Sequence, residues 1–139
     1  MARGREPTIP ADEALYRSVA KDHVDEHGVL AAAVEMPACS FNRSKYSNAE
    51  DVIVSSRPKE NGVLEITPGE LPPPVPRASG EPYEFFATDD PLDGNAAHCE
   101  VRIRRAGIAY TANHKPNRDV LMKARAELAK RMRVHRAPT

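Results

Sequence analysis

The sequence contains no tryptophan, and phenylalanine and tyrosine together make up only 5% of its 139 residues. A surface that binds single-stranded nucleic acid by stacking the bases needs exposed aromatic rings, so this scarcity argues against such a surface. It also leaves the hydrophobic core to aliphatic side chains. We therefore expect a lean core.

Cysteine is nearly absent as well, because the chain holds only Cys39 and Cys99. The two lie far apart, and the sequence has neither a C-x-x-C pair nor the Cys/His spacing of a zinc site. The sequence predicts two free, buried thiols and no metal site.

Long apolar runs are missing too. No run approaches the roughly 18 residues of a membrane-spanning helix, and the first residues lack the apolar core of a secretory signal. We expect a cytoplasmic protein that makes no contact with a membrane.

Motifs of the common enzyme classes do not occur. The sequence has no Walker-type loop, no G-x-G-x-x-G, no H-E-x-x-H, and no serine in a G-x-S-x-G elbow. His98-Cys99-Glu100 matches the H-x-E of zinc deaminases, but the P-C-x-x-C that supplies their other ligands is absent. The sequence predicts no cofactor and favours a protein that is not an enzyme.

The length fits one domain, residues 1–139. Proline is abundant, with 13 residues, and it marks the irregular parts of the chain. Residues 1–10 are predicted to form a loose arm. Residues 67–82 are predicted to form a proline-rich loop, because consecutive prolines cannot join a sheet ladder.

Hydrophobic spacing predicts a helix towards each end of the chain. Leu15 and Val19 repeat at i, i+4 within residues 12–23, which predicts a short N-terminal helix. Asn117 can cap a second helix from about residue 118 to 134, and the basic helical segment as a whole spans residues 117–136.

Between these helices, alternating residues predict strands at 63–66, at 83–88, and on both sides of a turn at Arg105-Ala106-Gly107. The predicted fold class is therefore α+β. It consists of a small antiparallel sheet with the C-terminal helix packed on it and a short N-terminal helix.

The strand that begins at His98 also predicts which side chains are buried. Successive side chains of a strand point to opposite faces. The sequence therefore predicts that three residues are buried and three are at least partly exposed: Cys99, Val101 and Ile103 against Glu100, Arg102 and Arg104.

The exposed face of this strand supplies His98 and Glu100, which Asp90 from the preceding loop and His114 from the end of the next predicted strand could join. Carboxylates and imidazoles can bind a divalent metal or carry out acid–base chemistry. The candidates are Asp90, His98, Glu100 and His114. If the fold brings them together, they predict a small metal-dependent hydrolase or nuclease.

Charge is divided unevenly along the chain. Residues 1–100 hold 9 Lys/Arg and 18 Asp/Glu, a balance of −9, whereas residues 101–139 hold 11 and 2, a balance of +9. The basic third either binds nucleic acid or an acidic partner, or neutralises the chain's own acidic part. Its candidate binding residues are Arg102, Arg104, Lys123, Lys130, Arg131 and Arg133.

Three stretches in order, EALYRSV, SKYSNAEDV and DPLDGNAAH, resemble a group of short bacterial proteins of uncharacterised function. The resemblance implies a bacterial cytoplasmic origin and no particular activity. It makes five positions the first choices for mutation: Arg17, Tyr46, Asp90, Asn95 and His98.

Together these observations favour a non-enzymatic interaction or accessory module that binds a protein partner in the bacterial cytoplasm. Two alternatives stay open. One is nucleic-acid binding by the basic C-terminal third, and the other is the hydrolase or nuclease built on His98, Glu100 and His114.

Overall fold

The computed structural model describes residues 6–139. These residues form one α-helix, α1 (Arg118–Arg131), four short 3-10 turns, and eight strands. The strands are β1 (Leu15–Val19), β2 (Val24–Asp25), β3 (Gly28–Val29), β4 (Ala38–Arg43), β5 (Gly62–Ile66), β6 (Tyr83–Asp89), β7 (His98–Arg105) and β8 (Arg133–Arg136).

Six of the strands make one antiparallel sheet in the order β6-β7-β4-β1-β5-β8, and β2 pairs with β3 separately. The register of the central strands fixes which side chains share a face. Ser40 lies opposite Glu100, and Asn42 lies opposite His98. Because paired residues point the same way, these four side chains lie on one face, which we call the polar face.

The other face of the sheet carries the core. Cys99, Val101 and Ile103 are at most 2% exposed, as the alternation of β7 predicts, and they cluster with buried residues of α1 such as Leu128. Glu100, Arg102 and Arg104 are partly exposed, so that prediction is also confirmed. The helix begins where Asn117 Oδ1 accepts a hydrogen bond of 3.0 Å from the backbone N–H of Val120.

The sheet opens between β1 and β4. The ladder between them holds two residue pairs, Leu15 with Arg43 and Tyr16 with Asn42, and then ends. The side chain of Arg17 lies in the gap, where Nη1 donates a hydrogen bond of 3.1 Å to the carbonyl oxygen of Ser40. A side-chain donor thus satisfies a carbonyl at the centre of the sheet.

The α+β class and the antiparallel sheet with its C-terminal helix are confirmed, but the N-terminal helix is not present. The residues predicted to be helical form β1 and, at Lys21–His23, a 3-10 turn. The apolar pair Leu15 and Val19 explains the difference. A spacing of four positions fits one face of a strand as well as one face of a helix, and β1 gains partners on both sides, β5 and β4.

The basic C-terminal segment also differs from the prediction of one helix over residues 117–136. The helix ends at Arg131, and β8 pairs with β5. Arg133 at the start of β8 binds the carboxylates of Glu65, at 2.6 Å, and Glu70, at 2.7 Å. These two partners become available only through the tertiary fold.

Two loops adjoin β6 and β7: residues 106–117 follow β7, and the proline-rich loop precedes β6. Residues 106–117 contain no strand, so the predicted second arm of the hairpin after Gly107 is absent. In the proline-rich loop, Val75 is 2% exposed and forms a bridge to Tyr83, which returns the loop to the sheet. Of the predicted N-terminal arm, residues 1–5 lie outside the described residues.

No helix in the described part of the chain is long and apolar enough to cross a membrane.

Candidate functional site

Three of the four candidate catalytic residues meet on the polar face. Asp90 follows β6, His98 begins β7, and Glu100 is two residues further along the same face. One ligand atom from each of these residues lies within 4.8 Å of the others. Pairing of β6 with β7 brings them together, because it sets Asp89 opposite Cys99.

His98 is the fixed centre of this group. Its side chain is only 10% exposed. Nδ1 lies 2.8 Å from the backbone carbonyl oxygen of Asp90, and Nε2 lies 3.1 Å from Ser40 Oγ. A carbonyl oxygen can only accept, so Nδ1 carries the proton. In the neutral imidazole Nε2 is then unprotonated and accepts a hydrogen bond from the Ser40 hydroxyl.

The Asp90 side chain adds a second contact to the same ring nitrogen. Its Oδ2 lies 3.3 Å from His98 Nδ1. Serine hydroxyl, imidazole and aspartate therefore follow one another in a single chain of contacts. This is the order in which a nucleophile, its base and the group that orients the base are found in acyl-transfer sites.

Asp90, His98 and Glu100 are also residue types that bind divalent metals, and their spacing is short enough for one ion. An internal cation already contacts both carboxylates. The Arg102 guanidinium lies 2.7 Å from Glu100 and 3.9 Å from Asp90. A metal ion at this position would compete with Arg102 for both carboxylates, so we assign no metal to the cluster.

Ser40 and His98 open into a groove of about 310 Å³ along the gap between β1 and β4. We call it the polar groove, and its inner lining includes Tyr16, Arg17, Ser18, Ser40, Asn42 and His98. A second cavity of about 370 Å³ adjoins it and shares Asn42, Asp51 and Asn95. The two together follow the polar face beside the turn that starts at Ala49.

The floor of the polar groove is held by hydrogen-bonded polar groups. Asn42 is 7% exposed, and its Oδ1 accepts a hydrogen bond of 2.9 Å from Asn95 Nδ2. Arg17 donates from Nε to the carbonyl of Ala33 at 3.0 Å and from Nη2 to Glu35 at 3.3 Å, in addition to its bond to Ser40. These contacts fix the floor in one arrangement.

A buried ion cluster anchors the sheet next to the site. Arg43 is fully buried and binds Glu13 through two hydrogen bonds of 2.8 and 3.0 Å. It also binds Asp89, the residue before Asp90, at 3.1 Å. The hydrogen bonds to Glu13, and then those to Asp89, raise the pKa of the Arg43 guanidinium above its usual value, so it stays charged.

His114 lies elsewhere. Its Nε2 contacts the Tyr83 hydroxyl, and its ring stacks on Tyr83 at 5.8 Å between centroids. Tyr83 pairs with Arg105, at the opposite end of β7 from His98. Each strand residue advances about 3.3 Å, so the seven steps from His98 to Arg105 span about 23 Å, and the two histidines lie at opposite ends of β7. One metal, with bonds of about 2 Å, cannot join them.

The six candidate basic residues lie on three different elements, β7, α1 and β8. Four of them bind carboxylates: Arg102 binds Glu100, Arg104 binds Glu84, Lys130 binds Glu127, and Arg133 binds Glu65 and Glu70. For Lys123 and Arg131, the described residues provide no ion pair. Four of the 11 basic residues in 101–139 are thus paired with carboxylates among the described residues.

Nothing in the sequence alone marks Ser40 as a partner of His98. The two residues are far apart in the chain and no elbow motif surrounds the serine. The available signal was strand alternation, which places Ser40 and Asn42 on the same face of β4. Only the register of β4 against β7 adds that this face is also the face of His98.

Comparison with models of known families, with curated proteins and with solved structures finds no match for this chain. The resemblance to short bacterial proteins therefore stays a prediction, and the function has to be argued from the site.

Proposed function

We propose that this protein is an interaction module that binds an extended segment of a partner protein in the polar groove. The observation that carries the proposal is the groove itself. It is an open channel in the middle of a sheet, with a fixed floor of hydrogen-bonding side chains.

The chemistry of the floor suits a polypeptide backbone. An extended peptide presents N–H donors and carbonyl acceptors in alternation. Serine hydroxyls and asparagine amides can both donate and accept, so Ser18, Ser40, Asn42 and Asn95 can serve either kind of group. The adjoining cavity lengthens the channel beyond what a compact small molecule requires.

The charges around the polar groove favour a protein over a nucleic acid. Two arginines, Arg17 and Arg57, line it together with three acidic residues, Glu35, Asp51 and Glu60. The formal balance of these five is −1. A phosphate backbone requires a net positive surface, whereas a polypeptide segment with both charge signs meets complementary groups here.

A random peptide display library tests the proposal, because it samples many segment sequences and requires no identified partner. Peptides selected on the wild-type protein are measured against Ser18→Arg, which fills the groove, and Ser79→Arg, which places the same side chain on the exposed proline-rich loop. We expect Ser18→Arg to weaken binding at least about tenfold, a loss of about 1.4 kcal/mol, and Ser79→Arg to have no effect.

Circular dichroism of both variants shows whether they are folded. If the library yields no peptide that binds, or if the selected peptides bind Ser18→Arg as well as wild type, the polar groove is not the interaction surface.

A further inference from the structure

We propose that Ser40 is a nucleophile and that the polar groove hydrolyses small carboxylic esters, with His98 as the general base. This inference goes beyond partner binding and does not depend on it. It rests on one chain of contacts, from the Ser40 hydroxyl through His98 to Asp90, at the surface of a groove.

The hydrogen-bond geometry of His98 suits it to act as the base. A general base must present an unprotonated nitrogen to the nucleophile. In the neutral imidazole, with Nδ1 donating to the backbone carbonyl of Asp90 at 2.8 Å, the lone pair of Nε2 points at Ser40 Oγ, 3.1 Å away. The ring cannot easily adopt another arrangement, because it is only 10% exposed and is held on both nitrogens.

Ser40 is accessible to a substrate. Ser40 is exposed although it lies in a central strand, because the ladder between β1 and β4 ends at Tyr16 and Asn42. A substrate can therefore reach Ser40 Oγ, while the base behind it is shielded from water. This combination is what a serine nucleophile needs.

Arg17 can stabilise the negative charge that develops on the carbonyl oxygen of the substrate. The guanidinium of Arg17 has five N–H donors. Three of its hydrogen bonds are accounted for, to Ala33, Ser40 and Glu35, which leaves two donors for an oxyanion in the same groove. A side-chain donor is less rigid than paired backbone amides, so we expect esters with good leaving groups as substrates rather than amides.

The reaction proceeds in two steps. Ser40 Oγ attacks the ester carbonyl carbon as its proton passes to His98 Nε2, the bond to the leaving alkoxide breaks, and His98 returns the proton to that alkoxide. The product is an acyl ester on Ser40. Water, deprotonated by His98, then attacks this ester, and a carboxylic acid leaves as the Ser40 hydroxyl is restored.

Labelling with a fluorophosphonate probe tests the nucleophile directly. The Ser40 oxygen forms a bond to phosphorus, fluoride leaves, and intact mass and peptide mapping locate one adduct. We expect a single adduct on Ser40, none in Ser40→Ala, and unchanged labelling in Ser44→Ala, two positions beyond Asn42 and outside the polar groove. No adduct, or adducts spread over several serines, overturns the proposal.

The base is tested in the same labelling assay, and its orienting group is tested by ester hydrolysis. His98→Asn should slow labelling at least about 100-fold, with circular dichroism confirming that the variant is folded. Labelling at the wild-type rate contradicts a base at His98. Asp90→Asn should lower kcat for p-nitrophenyl acetate and leave KM unchanged, since Asp90 acts through His98. An effect on KM alone contradicts that role.

These outcomes are separate from those of the peptide experiment. Labelling of Ser40 in a protein that selects no peptide would refute partner binding alone. Peptide binding without labelling would refute the nucleophile alone.

Discussion

Replacing Arg43 by methionine should destabilise the protein more than replacing any exposed arginine. The Arg43 side chain is fully buried, and the side chains of its partners Glu13 and Asp89 are only 7% and 9% exposed. Breaking a buried ion pair costs about 3–5 kcal/mol, because the remaining charge loses its counter-charge in a poorly solvated place. Here one guanidinium serves two carboxylates, so we expect a loss of about 5 kcal/mol.

The size of this loss can be compared with total stability. Domains unfold with free energies of about 5–15 kcal/mol. The Arg43→Met variant should therefore be only marginally stable or unfolded. Urea denaturation followed by circular dichroism measures the change. Arg57→Met is the matched control, since its ion pair with Glu60 is 3.5 Å long and exposed, and it should cost about 0.5 kcal/mol or less.

A double variant identifies the source of the loss. If the counter-charge to Glu13 is the cause, Arg43→Met should cost about 1–3 kcal/mol less in a Glu13→Gln background. The reasoning is refuted if Arg43→Met loses less than about 1 kcal/mol, or if Glu13→Gln leaves its effect unchanged.

Further measurements address the core, the thiols and the C-terminal strand. Ile103→Ala should lower the free energy of unfolding in urea by about 2–5 kcal/mol. Arg102 is partly exposed on the other face, so Arg102→Ala should lower it by only about 1 kcal/mol. The reverse order would contradict the register of β7. Burial raises the pKa of the Cys99 thiol to about 12, so iodoacetamide at pH 8 should modify it only after unfolding, and rapid modification of the native protein would contradict its burial. The hydrogen bond from Arg133 lowers the pKa of Glu70 below its usual 4.5; this contribution to stability is present above pH 4.5 and is lost as the pH falls through the depressed value. The difference in melting temperature between wild type and Arg133→Ala should therefore shrink from pH 6 to pH 3, and a constant difference would contradict the pair.

Three of the six strands of the main sheet, β5, β6 and β7, could be predicted because they carry clear local signals. In β7, apolar and polar residues alternate, and one face must be buried, so the burial of Val101 and the exposure of Arg102 follow from the pattern. The start of α1 was equally predictable, since the Asn117 side chain can accept a hydrogen bond from a free backbone N–H of the first turn.

The elements that were missed depend on contacts between distant residues. The spacing of Leu15 and Val19 fits a strand and a helix alike, and only pairing with β4 and β5 decides between them. The strand β8 follows a helix in a basic segment, and the carboxylates of Glu65 and Glu70 that hold Arg133 are distant in sequence.

The sequence predicted which types of residue form the candidate site, but not which individual residues come together there. His98, Glu100 and Asp90 are near one another in the chain, and strand geometry keeps them together. Ser40 joins them because of the order of strands in the sheet, which places β4 beside β7. His114 does not, because its loop lies at the opposite end of β7. A single sequence does not encode that order in any local pattern.

The central claim is that the polar groove between β1 and β4 is the functional surface. Its most direct test is a titration of ¹⁵N-labelled protein with a peptide selected by display, followed by amide chemical shifts. We predict that the largest changes occur at Ser18, Ser40, Asn42 and Asn95, with little change along the exposed side of α1 around Met122. Changes centred on α1, with the groove amides unmoved, would contradict the claim.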